Sequence, residues 1–95
     1  MPTEKQKTTP TRECGTVLLR AARAFAAMNA AVAKVEEDIA GFEPFWMAQH
    51  ANQAYNHYVQ GQAHATTARD LGAPEYLLRY AAAGDEEAVQ EALLG

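Results

Sequence analysis

Residues 18–42 read LLRAARAFAAMNAAVAKVEEDIAGF, and within them Leu18, Ala21, Phe25, Met28, Val32, Val35, Ile39 and Phe42 recur at alternating steps of three and four. That spacing holds all eight on one stripe of a helix, and its 3.5-residue period is that of a coiled-coil seam. The stretch predicts a helix over about 12–40. Thr9-Pro10 or Gly15-Thr16 would start it, and Gly41 would close it in the left-handed position after the last turn.

Glu43-Pro44 opens a second helix over about 44–71, with Pro44 preset at its first position and Gly72 as its stop. Met47, Ala51, Ala54, Tyr58, Gly61, Ala65 and Ala68 share one direction of that helix. Most are small, so the stripe predicts close approach of another helix, and a mid-helix Gly61 implies a packing reason or a kink. Pro74 and the cap Asp85 then set two short helices, about 74–83 and 86–94, joined through Leu77, Leu78, Tyr80, Val89, Leu93 and Leu94. No segment alternates like a strand. The expected fold is all-α: a long antiparallel helical hairpin plus a short C-terminal one, completed into a bundle by oligomerisation, with a dimer favoured.

Composition sets the limits. The chain has 95 residues, with residues 1–11 expected as a flexible basic arm and 12–95 as one helical domain. A core built from so few residues is marginal, and the single cysteine, Cys14, allows no internal disulfide. Arg20, Arg23, Asn29 and Lys34 interrupt the alanine-rich stretch, which argues against a membrane span, and the polar start offers no secretory leader. A cytoplasmic location is the expectation.

Net charge is −4, with the basic residues gathered towards the start. Lys5, Lys7, Arg12, Arg20 and Arg23 form a candidate basic arm, while Arg69 and Arg79 are the only Lys or Arg after Lys34. An acidic body disfavours nucleic acid as the main partner.

His50, His57 and His64 stand seven residues apart, with Gln53, Gln60 and Thr67 between or beyond them. Neighbouring histidines are then about 10.5 Å apart along the helix, too far to share one metal, so neither metal nor cofactor is expected. The simpler reading of the row is a solvated flank. The functional readings are a half-buried row that sets register between chains, or a ligand or partner face of Trp46, His50, Gln53, Asn56, His57, Tyr58, Gln60 and His64, with a small polar molecule as occupant.

Phe42, Phe45, Trp46 and Met47 make the densest aromatic cluster, read most simply as a core plug at the bend and, if exposed, as a partner's anchor. Glu36, Glu37 and Asp38 read as solvated charges at a helix end. Cys14, in or beside the arm, has no histidine nearby in sequence, and no phosphate-cradling loop exists, so no enzyme is expected.

Two partial likenesses end in mismatches. Leu77, Ala81, Gly84-Asp85, Val89 and Leu93 are spaced in a way that resembles the helix pair of an ankyrin repeat, but Tyr80 replaces a usual alanine and no second repeat follows. Chain length and Trp46 are similar to the WXG100 family, yet Met47-Ala48 stands where x-Gly is required. The function expected is therefore a small interaction protein, acting on a protein partner as adaptor, chaperone or inhibitor. A small-ligand binder is the alternative, and a nucleic-acid accessory factor using the basic third comes last.

Overall fold

The computed structural model describes residues 10–94. Four helices follow one another: α1 (Arg12–Ala40), α2 (Pro44–Asp70), α3 (Glu75–Ala82) and α4 (Glu86–Leu94). The fold is all-α, and no strand occurs among the described residues. Of the expected arm, residues 1–9 lie outside this description.

α1 starts between the two expected signals, after Thr9-Pro10 and before Gly15-Thr16, at the expected Arg12. Thr11 is its cap, with the hydroxyl accepting the Cys14 N–H at 3.1 Å. Cys14 is thus not part of an arm but a fully buried first-turn residue whose Sγ lies 3.7 Å from the Ala68 carbonyl. Pro44 begins α2 as the sequence implies, and Asp85 caps α4 by accepting the Ala88 N–H at 3.0 Å.

Three helices end in the same six-residue hydrogen-bonded loop. After α2, Gly72 N–H bonds Arg69 O and Ala73 N–H bonds Ala68 O; after α3, Gly84 bonds Ala81 and Asp85 bonds Tyr80. Gly72 and Gly84 occupy the left-handed position of these loops, at φ 95° and 75°. After α1 the same pair of bonds runs Phe42 to Ile39 and Glu43 to Asp38. There the left-handed residue is Phe42, at φ 55°, whereas Gly41 sits at φ −91°. The expectation for Gly41 is therefore wrong by one residue, because the hydrogen bonds close around Phe42. An L-residue held there costs about 1–2 kcal/mol of backbone strain.

The core gathers at one end. Cys14, Val17, Leu18, Ala21, Ala22 and Phe25 of α1 pack with Ala68 of α2, Leu77, Leu78 and Ala81 of α3, and Val89 of α4. Ala54, Gly61 and Ala68 face α1 from α2, as the small-residue stripe predicts, while Ala51 and Tyr58 of that stripe are exposed. Gly61 has a packing reason: a Cβ there would lie 2.8 Å from the Phe25 ring. At Gly84 a Cβ would meet the Ala26 backbone nitrogen at 2.9 Å, so the α3–α4 turn is pressed onto α1. Asn29 and the Arg23–Glu86 ion pair (2.7 Å) fasten that junction. Tyr80 and Leu94, expected inside the short hairpin, lie on its outside.

Beyond Asn29 the α3–α4 pair ends, and α1 and α2 continue as a bare two-helix arm. The molecule is consequently elongated, 58 × 20 × 17 Å. By length and mean hydropathy (1.2 over its most apolar 18-residue window) α1 could cross a bilayer. Only 28% of that window is buried here: Ala21, Ala22 and Ala31 of α1 are buried, whereas Ala30 and Ala33 are exposed.

Candidate functional site

The α1 seam has two fates. Leu18, Ala21 and Phe25 are consumed by the chain's own core, and Met28 and Val35 are half-buried. Val32, Ile39 and Phe42 are 43%, 57% and 91% exposed. The first half therefore has no surface to offer a second chain, because α3 and α4 already cover it. Only the distal half does.

A matching stripe runs along α2. Met47, Ala51, Tyr55 and Tyr58 follow at four- and three-residue steps and lie on the side that carries α3, since Tyr58 and Met28 share a groove with Leu78, Arg79 and Ala82. At the other end Ile39, Phe42, Pro44 and Met47 line a cleft of about 440 Å³, rimmed by Asp38 and Glu43. The two stripes thus form one apolar strip from the end of α3 to the tip of the hairpin. Contiguous exposed apolar surface of this kind marks interaction sites in soluble proteins.

The aromatic cluster at the bend is not a core plug. Phe42, Phe45 and Trp46 are all exposed, because the core lies at the opposite end and only two helices reach the tip. Phe45 sits edge-on to Trp46 (centroids 5.1 Å apart), and Trp46 stacks on His50 (5.9 Å). His50 Nδ1 in turn lies 2.6 Å from an Asp38 carboxylate oxygen, with both side chains largely enclosed. Asp38 is thus no free helix-end charge; it ties α1 to α2 just behind the turn. Helix numbering alone predicts neither partner. Asp38 lies three residues before the Gly41–Glu43 turn and His50 seven after it, so counting outward from the turn does not pair them, whereas Phe25 and Gly61, 16 and 18 residues out, are nearly level.

The expected polar face does not hold together as one surface. His50, His57 and His64 are half-buried along the flank of α2 away from α3, while Gln53, Asn56 and Gln60 are exposed. Tyr58 is on the other side, edge-on to Phe25 at 6.4 Å and accepting a 2.9 Å hydrogen bond from Gln62. What the fold adds is a basic neighbour: His57, Gln60 and His64 share a shallow groove of about 300 Å³ with Arg20 and Arg23 of α1. Arg12 is exposed at the start of α1, and Lys5 and Lys7 fall outside the described residues.

Burial, then the nearby Glu13 carboxylate, push the Cys14 thiol above its ordinary range, which leaves it a protonated packing group. Among the described residues no three His, Cys, Asp or Glu side chains converge in a metal-binding arrangement. No protein-family model, curated protein or solved structure matches this chain. The fold and the strip together describe a small helical protein with a closed end and an open one.

Proposed function

We propose that this is a non-enzymatic interaction protein that acts as a homo-oligomer, its distal hairpin strip packing against the same strip of a second copy. The observation that carries this reading is the split seam: one continuous apolar stripe, covered by α3 and α4 for half its length and open from Val32 to Phe42. A second hairpin laid on the open half turns two helices into four, the arrangement in which a/d-type stripes are normally buried. Such a pairing is two-fold symmetric and closes on itself. A stable dimer buries roughly 800 Å² per partner, which is about an eighth of the 6447 Å² accessible surface of this chain. In this reading the exposed Phe45–Trp46 pair and the flank of the paired protein serve a further protein partner, as adaptor, chaperone or inhibitor.

Light scattering tests it. The full chain should run at twice its 10.3 kDa mass, and Val32→Asp or Ile39→Asp should return it to monomer. A carboxylate buried unpaired in the joint costs several kcal/mol, more than so small an interface can absorb. A wild-type monomer at every accessible concentration would sink the reading.

The shallow groove supports a second reading. It sets Arg20 and Arg23 opposite His57, Gln60 and His64, which narrows the small-ligand alternative to an anionic ligand. Titration with inorganic phosphate, followed by NMR shifts of the His57 and His64 rings, tests it. Arg20→Ala should abolish those shifts, and rings unmoved by millimolar phosphate would remove phosphate-like anions from consideration.

A further inference from the structure

The groove where the covered half of the seam meets the open half has its own chemistry. Its floor is Phe25, Met28, Tyr58 and Leu78, and its volume is about 360 Å³. Arg69 and Arg79 stand at its edge with one carboxylate, Glu75, 3.9 Å from Arg79 and mostly exposed; the two arginines leave the rim net positive and are the only Lys or Arg in the chain after Lys34. At the far end of the same strip is a complementary object. Phe42 is 91% exposed, is held in left-handed backbone where two sister loops use glycine, and shares its cleft with Glu43 and Asp38, while Glu36 lies exposed on α1 one turn before Ala40.

We propose that Phe42 of one copy seats in this groove of another, with Glu36 and Glu43 meeting Arg69 and Arg79, so that the two hairpins pair antiparallel. This rests on the self-association reading and names its geometry. Length supports it. The open strip spans Met28 to Phe42, about 21 Å at 1.5 Å per residue, and starts where α3 stops. Laid antiparallel on itself, the strip brings each tip to the other copy's α3 and no further. Laid parallel, it would stack the two acidic tips, each carrying Glu36, Glu37, Asp38 and Glu43, against each other. Both copies supply one tip and one groove, so the contact forms twice and is self-limiting.

Charge reversal in the full chain tests this, because all four positions are exposed and leave the fold intact. One variant carries Glu36→Lys with Glu43→Lys, and the other Arg69→Glu with Arg79→Glu. Each alone should self-associate about tenfold more weakly than wild type in sedimentation experiments. Mixed in equal amounts they should form a heterodimer of near wild-type affinity, since each tip then faces a groove of opposite charge. Phe42→Ala should also weaken the dimer while leaving the dilute-solution melting temperature unchanged or higher. A wild-type dimer whose two reversed variants associate normally, or gain nothing on mixing, overturns the tip-in-groove pairing and leaves self-association standing. A wild-type monomer removes both.

Discussion

The two halves of the long hairpin are made of similar sequence and have opposite surroundings. In the proximal half Leu18 and Leu77 are fully buried and α1 touches three other helices. In the distal half α1 touches α2 alone, and the residues continuing the same heptad stripe, Val32, Ile39 and Phe42, face outward. A periodic seam thus states that a helix face is to be covered, and says nothing of who covers it. Here the chain folds its own C-terminal pair over half the stripe and leaves the rest exposed, the half that the proposed pairing would cover.

The contrast should appear first in mutational stability. At low concentration Leu77→Ala should destabilise the protein by about 2–5 kcal/mol, the usual cost of emptying a fully buried leucine site. Ile39→Ala should change it by less than about 0.5 kcal/mol, as for an exposed position. Equal losses in thermal melts would mean that the distal half is already covered within one chain.

Next in size is Gly61, where the halves meet. Gly61→Val should cost about 1–3 kcal/mol, because the added carbons drive into the Phe25 ring and force α1 and α2 apart. Gly84→Ala should follow at about 1–2 kcal/mol, since an alanine there is held at positive φ against the Ala26 backbone. Denaturant unfolding reads both, and a neutral Gly84→Ala would show that the α3–α4 turn is not pressed onto α1.

The three sister loops explain what was legible in the sequence. Helix number, order and nearly all boundaries follow from period, proline and glycine, because those signals are local. Gly41 misled because it is the right residue one position early; the deciding bonds, Phe42 to Ile39 and Glu43 to Asp38, carry no residue-type signature. The aromatic tip misled in a different way. Whether Phe45 and Trp46 are inside depends on where α3 and α4 end, which no local pattern encodes. The histidine row, read most simply as a solvated flank, is half-buried, and its link to Asp38 and its closeness to Arg20 and Arg23 needed the hairpin register.

Smallest of the expected effects is that of the buried thiol. Burial raises the Cys14 pKa, so above its ordinary value near 9.0 the folded chain keeps a proton that the unfolded chain releases. Stability should therefore fall slightly as pH rises past that value, and Cys14→Ala should lose this slope. A thiol reagent at neutral pH should label Cys14 only as fast as the core opens; immediate labelling would place it outside the proximal core.

Amide hydrogen exchange, followed residue by residue at two protein concentrations, tests the split most directly. Helical amides of the proximal core around Leu18, Phe25 and Leu77 should exchange slowly, with protection set mainly by the chain's own fold. Amides at 30–40 and 46–58 should exchange quickly when dilute and become protected as concentration rises, because a second copy then covers them. Distal amides that exchange at the same rate at both concentrations would contradict the claim that this half of the hairpin is built to be covered by another copy of the chain.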